Sequence, residues 1–198
     1  MPVSAKNGAM RVLGIDPAAA GPVGYGVIET DGRNFRMVRY GALPAARRAG
    51  RENFPVRLQE IHALIARLID EYSPTGVAVE SVFTALNVKT ALKLAEVRGV
   101  VLLAAAQSGL PVNSYSPREV KASVAGYGHA TKEQMQLMVR AVLSMTETPH
   151  PADAADALAV ALCHLYAVQS RARFAAATAV PASLGKNRAA SAHISPLR

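Results

Sequence analysis

Residues 12–17 read Val-Leu-Gly-Ile-Asp-Pro, and this stretch decides the fold. An apolar run, typical of a short buried strand, ends in a carboxylate at Asp16, and the proline that follows cannot donate to a sheet ladder. A second apolar run, Val-Ala-Val at 77–79, ends the same way in Glu80. If these two strands pair in parallel, both carboxylates leave the sheet at the same edge, about 5 Å apart.

Two further acidic residues, Asp153 and Asp156, stand three positions apart in an alanine-rich stretch. On a helix this spacing places both carboxylates on one face. Each of the four acids alone has an ordinary explanation, such as an Asp-Pro turn, a helix N-cap or pairing with a lysine. Together, in a chain of net charge +8 with only 14 acidic residues, they favour a site for hard divalent cations such as Mg²⁺ or Mn²⁺.

The rest of the chain predicts an α/β fold built on a mixed five-stranded sheet. The turn pair Asp31-Gly32 joins two of the first three strands, which we expect to form an antiparallel meander, and two parallel strands follow. Helices flank the sheet wherever apolar residues recur every three or four positions. The predicted strands cover 11–16, 25–30, 34–43, 76–80 and 111–115, and the predicted helices cover 54–72, 87–108, 117–126, 131–144 and 153–170.

Composition predicts one compact domain, 11–170, with a disordered leader at 1–10 and a basic, disordered tail at 171–198. The tail holds five Lys/Arg and no Asp/Glu, which suits either attraction to nucleic acid or a solubilising end. The single cysteine, Cys163, excludes an internal disulfide and predicts a reducing, cytoplasmic setting. No apolar run is long enough for a membrane span, and no secretory signal is evident.

The motifs together resemble the RuvC-type Holliday junction resolvases of bacteria, within the ribonuclease H-like superfamily. The resemblance covers about residues 11–170, and each matching piece is weak alone. The pieces are Leu-Gly-Ile-Asp-Pro at 13–17, Gly-Tyr-Gly at 24–26, Glu-Ser-Val-Phe at 80–83, Ala-Leu-Lys-Leu at 91–94, Arg-Gly at 98–99, Glu-Val-Lys at 119–121, Met-Val-Arg at 138–140 and Ala-Asp-Ala-Ala-Asp-Ala-Leu-Ala at 152–159.

The resemblance implies the ribonuclease H-like fold, a homodimer, and symmetric nicking of four-way DNA junctions in recombination and repair. It implies two Mg²⁺ or Mn²⁺ ions per active site, a branch-migration helicase complex of RuvA/RuvB type as a partner, and Asp16, Glu80, Asp153 and Asp156 as the metal-binding catalytic acids. Two such ions hold the attacking and leaving oxygens of an in-line displacement. One departure stands out: the family continues Asp-Pro-Gly, whereas three alanines and an extra residue precede Gly21 here, which puts the loop shape in question.

Several residues are expected to meet DNA. Phe83, three residues after Glu80, can stack on an unpaired base, or else fold back onto the core. Lys121 and Lys132 match positions that the family places near the scissile phosphate, where a lysine neutralises developing charge; a solvated helix lysine is the plain alternative. We count Lys132 among the catalytic residues. Weaker candidates for backbone contacts are Asn87, Lys93 and Arg118.

The sequence thus predicts a structure-specific endonuclease that resolves Holliday junctions by two-metal-ion hydrolysis. The alternative is a catalytically impaired scaffold that binds junctions, since the loop after Asp16 is altered. A sugar-kinase-like ATPase also begins with an apolar strand and Gly-Ile-Asp, but it needs a second domain that 198 residues do not provide. The apolar helix at 87–108 suits either a buried core position or a two-fold dimer interface. The sequence does not fix the cleavage context or the choice between Mg²⁺ and Mn²⁺.

Overall fold

The computed structural model describes residues 9–45, 54–81 and 88–178. They form five strands and five helices in the predicted order. The strands are β1 (Met10–Asp16), β2 (Val23–Thr30), β3 (Phe35–Leu43), β4 (Gly76–Glu80) and β5 (Val112–Tyr115). The helices are α1 (Phe54–Tyr72), α2 (Val88–Gln107), α3 (Pro117–Ala125), α4 (Lys132–Val142) and α5 (Ala152–Thr178).

The strands form one mixed sheet in the order β3-β2-β1-β4-β5. β1 pairs antiparallel with β2, which pairs antiparallel with β3, so the predicted meander is confirmed. β1 and β4 pair in parallel with Ile15 opposite Val79, and β4 pairs in parallel with β5. The two carboxylate-bearing strands are therefore neighbours, as the opening motif predicted.

Alternation along the strands separates two cores. Leu13 and Ile15 of β1 face one apolar cluster with α1 and α2, whereas Val12 faces a second cluster with α3, α4 and α5. Because side chains alternate between the faces of a strand, Gly14 and Asp16 share the α5 side with Val12. Glu80 lies on the same side of the sheet, because it follows Ala78 by two residues and Ala78 packs in the cluster with α5.

Glycines on β1 and β2 let α5 lie directly on the sheet. A Cβ atom built on Gly14 would lie 2.8 Å from Ala161 Cβ, and one built on Gly26 would lie 2.7 Å from Leu158 Cδ2. One built on Gly24 would overlap the carbonyl oxygen of Asp153 and lie 2.5 Å from its carbonyl carbon. Only glycine fits at this close approach, so these three positions set the distance between α5 and the strands.

The structure differs from the predicted leader and from the predicted tail at one boundary each. Met10, assigned to the leader, belongs to β1, and α5 continues eight residues past its predicted end, from 170 to Thr178. Residues 171–178, assigned to the tail, are thus helical and exposed. Alanine has the highest helix propensity, and four of these eight residues are alanine, which sustains a helix that packing does not. None of the helices within the described ranges is long and apolar enough to cross a bilayer.

Candidate active site at the carboxyl ends of β1 and β4

Asp16 and Glu80 end adjacent parallel strands, and this places both carboxylates at one edge of the sheet. The preceding residues, Ile15 and Val79, are register partners, and both side chains that follow turn toward α5. Both acids are only partly exposed. The β1–β4 pairing, which the sequence could only assume, therefore creates the first half of the site.

Asp153 and Asp156 lie in the first turns of α5 and supply the second half. Asp16 is paired with Gly24 in the β1–β2 ladder, and the backbone of Asp153 rests on Gly24. The start of α5 therefore lies over the strand next to Asp16. The i, i+3 spacing then carries Asp156 along the same face toward β4.

The electrostatics show that the four acids share one field. Burial raises the pKa of Asp16 to about 8, and the charges of Glu80, Asp156 and Asp153 add to that rise. Burial also raises the pKa of Glu80 to about 7, with a further contribution from Asp156. Repulsion of this kind arises only between groups close enough to feel one another. The other three sequence-predicted acids therefore lie within electrostatic range of Asp16, at one end of the sheet.

A cleft of about 210 Å³ opens beside Glu80 and Asp156. Lys132 Nζ lies 3.2 Å from Asp156 Oδ2, and this contact raises the lysine pKa above its usual value. Lys121 lies on the other side and opposes the rise in the pKa of Glu80. The remaining lining residues are Pro117, Val120, Met135 and Ala159. The cleft thus combines carboxylates, two ammonium groups and an apolar wall.

The donor set suits a hard divalent cation, because all four candidate ligands are carboxylates. Burial first, and repulsion from neighbouring carboxylates second, raise the pKa of Asp16 and of Glu80, and a cation bound beside them would reverse that repulsion. Within the described ranges, however, no three His, Cys, Asp or Glu side chains stand close enough to enclose one ion. Asp156 is engaged by Lys132, so its use as a metal ligand requires that ion pair to open.

The predicted DNA-binding residues divide into three groups. Lys121 and Lys132 line the cleft. Arg118 is exposed on the first turn of α3, near the cleft, whereas Lys93 lies on α2 with its ammonium 5.1 Å from the ring centroid of Phe54, away from the cleft lining. Phe83 and Asn87 lie outside the described residues.

The sequence analysis missed a buried arginine that holds the loop after Asp16. Arg57 of α1 is 3% exposed, and its Nη2 donates to the carbonyl oxygens of Gly21 and Leu43 at 3.2 and 3.4 Å. The loop, residues 17–22, has no polar side chain with which to anchor itself. Arg57 thereby ties the altered loop to the end of β3. An arginine in the first turn of an amphipathic helix was the available signal, but helical periodicity does not identify the groups that such an arginine contacts.

Comparisons with known proteins identify the family. A sequence model of the family described as crossover junction endodeoxyribonuclease RuvC matches residues 12–164. A protein of that name from Chloroflexus aggregans is 48% identical over 165 residues, covering 83% of this chain and 98% of the relative. Another from Syntrophomonas wolfei is 45% identical over 157 residues, covering 79% and 89%.

Solved structures extend the comparison to the fold. Thermus thermophilus RuvC in complex with a Holliday junction substrate superposes with a TM-score of 0.75 at 36% identity, covering 82% of this chain and 96% of that one. The yeast mitochondrial Holliday junction resolvase Ydc2 shares the fold, with a TM-score of 0.60 at 14% identity, covering 82% of this chain and 81% of that one. The predicted resemblance and fold class are confirmed, and the chain belongs to the crossover junction endodeoxyribonuclease RuvC family.

Proposed function

We propose that this protein resolves Holliday junctions by nicking two strands of like polarity symmetrically, through metal-dependent hydrolysis of phosphodiester bonds. The observation that carries the proposal is a cleft lined by Glu80, Asp156 and two lysines. Asp16 lies within electrostatic range of Glu80, Asp156 and Asp153, in a chain of net charge +8. A purely structural cluster of buried acids would destabilise the fold without return. Membership of a family with a member solved on a Holliday junction supports the choice of substrate.

Family membership implies dependence on a divalent metal. We propose that Asp16, Glu80, Asp153 and Asp156 hold two Mg²⁺ or Mn²⁺ ions. Such ions, when bound, lower the pKa of a water molecule and offset the charge of a phosphodiester. The protein's own contribution is to fix the carboxylates on strand ends and on α5, the helix with the longest run of buried residues in the described chain.

The two lysines act on the substrate side of the cleft. Lys132 and Lys121 are placed to neutralise charge that builds on the phosphoryl oxygens as the bond breaks. Val120, Met135 and Ala159 form the apolar wall that excludes bulk water, which strengthens these electrostatic contacts. Lys132 has to exchange Asp156 for the phosphate, and we expect this exchange to be easy because half-exposed ion pairs are weak.

The exposed face of α2 supports assembly as a homodimer. Val88, Leu92 and Leu103 are all more than half exposed, and Ala95 and Gly99 fill the intervening turns of the same face. A continuous apolar stripe of this kind suits a self-complementary two-fold contact, and two active sites then act on two strands. The RuvA/RuvB-type helicase partner stays a prediction that rests on the resemblance.

The decisive experiment is cleavage of a synthetic four-way junction, with each strand labelled in turn. Wild-type protein in Mg²⁺ or Mn²⁺ should give paired nicks on opposing strands that ligase can reseal, and EDTA should abolish them. Asp16→Asn should remove cleavage but retain junction binding, whereas the matched control Asp70→Asn, exposed on α1, should cleave normally.

Two outcomes would count against the proposal. Binding without cleavage by the wild-type protein in either metal would favour the scaffold alternative. Full cleavage by Asp16→Asn would show that the carboxylate cluster is not the catalytic centre.

A further inference from the structure

The connection between α3 and α4 fixes an exposed aromatic ring. Tyr127 is 47% exposed, yet its hydroxyl donates to Gln134 Oε1 at 2.6 Å. On one side Gly126 adopts a left-handed conformation with φ 86°, and on the other Gly128 packs against Arg118, where a Cβ would lie 2.7 Å from Arg118 Cγ. Both backbone neighbours and the far end of the ring are therefore held in place.

The hydroxyl bond is not needed to cap α4. Thr131 and Gln134 already form a complete capping box, in which Gln134 Oε1 accepts from the Thr131 backbone nitrogen at 2.8 Å. Because the hydroxyl is used internally, what Tyr127 offers to a ligand is the exposed part of its ring. Because the ring is already held in one orientation in the free protein, little further conformational entropy is lost when a ligand binds to it, and this favours binding.

The surroundings of this ring are basic. The exposed Arg118 makes no ion pair with any residue in the described ranges, and it lies one turn before Lys121 on the same face of α3. Lys132 begins α4 on the other side of the connection, and both lysines line the cleft. Of the nearby acids, Glu119 is engaged by Ser116, and Glu133 is exposed on the first turn of α4. The basic wall of the cleft thus continues outward to the ring.

We propose that Tyr127 is a DNA-contact residue, whose ring packs on a deoxyribose of the duplex arm leaving the cleft while Arg118 contacts the adjacent phosphate. This inference rests on the proposed function. An aromatic ring gives apolar contact to a sugar without reading sequence, and a guanidinium beside it fixes the backbone. Tyr127 and Arg118 would add a DNA contact outside the catalytic cleft, so they affect binding affinity rather than the chemical step.

The test is junction affinity in EDTA, measured by fluorescence anisotropy with wild-type protein, Tyr127→Ala and Tyr127→Phe. We expect Tyr127→Ala to weaken binding about five- to tenfold, a loss comparable to that of one aromatic–nucleotide contact. Tyr127→Phe should stay within twofold of wild type, since it keeps the ring. The control is Phe174→Ala, which removes an aromatic ring that is more exposed than Tyr127, 75% against 47%. Phe174 lies about 33 Å along α5 from the start of that helix, and the variant should bind as wild type.

Salt dependence separates the two parts of the contact. Arg118→Ala should reduce the slope of log affinity against log salt by about one, because one phosphate contact is lost. Tyr127→Ala should leave that slope unchanged. Wild-type affinity in Tyr127→Ala, equal weakening in Tyr127→Phe, or an equal loss in Phe174→Ala would each overturn the inference. If wild-type protein neither binds nor cuts a junction, the proposed function itself fails instead.

Discussion

Replacing Gly24 by alanine should disable cleavage by displacing α5 rather than by touching any catalytic group. The added methyl would overlap the Asp153 carbonyl oxygen and lie 2.5 Å from its carbonyl carbon. Non-bonded carbon atoms rest at about 3.5–4.0 Å, so the first turn of α5 has to move by about 1 Å or more. Both partners are backbone atoms, and no side-chain rotation relieves the overlap.

The magnitude follows from that displacement. A shift of about 1 Å in catalytic groups costs about 100-fold in rate, and here both Asp153 and Asp156 move with the helix. Overpacking of this kind costs about 1–3 kcal/mol of folding stability, which a domain of this size tolerates. We therefore expect a folded protein that binds junctions in EDTA as wild type does, but cleaves them about 100-fold more slowly.

The assay is single-turnover cleavage of a four-way junction at saturating protein, with thermal melting to confirm the fold. Gly76→Ala is the matched control, since a methyl at the opposite end of β4 meets its nearest atom, Pro111 O, at 3.4 Å. Gly26→Ala is a graded variant: it meets a Leu158 side chain that can rotate in part, so it should lose less activity. Near-normal cleavage by folded Gly24→Ala would refute the idea that the contact between Gly24 and the Asp153 backbone sets the geometry of the site.

Three further changes give distinct readouts. Because the Asp16 pKa is raised from 3.8 to about 8, the folded protein binds more protons than the unfolded one, and its stability is lost as pH rises between these values. In EDTA, the melting temperature of Asp16→Asn should therefore exceed that of wild type by a margin that grows from pH 5.5 to 8.5. A margin that stays constant over this range would contradict the reasoning. Arg57→Met removes the donors to the carbonyl oxygens of Gly21 and Leu43. It should lower the free energy of unfolding by about 1–3 kcal/mol in chemical denaturation, and slow cleavage more than tenfold at unchanged junction affinity. Cleavage at the wild-type rate would show that Arg57 is not needed to hold the loop. The proposed α2 interface predicts that wild type is a dimer and Leu103→Glu a monomer in analytical ultracentrifugation. A monomeric wild type at micromolar concentration would remove the basis for that interface.

The sequence was sufficient for the elements and for the identity of the acids. Short apolar runs placed Asp16 and Glu80 at strand ends, and helical spacing put Asp153 and Asp156 on one face. Both are local patterns in the sequence. The parallel β1–β4 pairing was an assumption from the sequence, conditional on the intervening helix being a crossover. The structure confirms that order and pairing.

Contacts between distant segments were beyond the sequence. Gly24 lies just before the predicted second strand, and nothing in the sequence indicates that α5 rests on it. Arg57 has the pattern of a surface helix residue, and only the structure shows that its guanidinium donates to two carbonyl groups. Tyr127 lies in a Gly-Tyr-Gly loop whose exposure depends on how α3 and α4 pack. In each case the signal is tertiary, and no periodicity encodes it. The extension of α5 to Thr178 was missed for the opposite reason, since helix propensity prevails there without packing.

The acidic and the basic side chains of the site belong to helices of different rigidity. Asp153 and Asp156 belong to a helix whose residues from Ala157 to Leu165 are buried without interruption, so moving them means disturbing the core. Lys132, in contrast, begins a half-exposed helix and is itself 53% exposed. Rigid carboxylates keep a metal site pre-organised, whereas a mobile ammonium can change partners at a cost of about 1 kcal/mol or less. We therefore expect substrate binding to move the lysine wall and leave the acids in place.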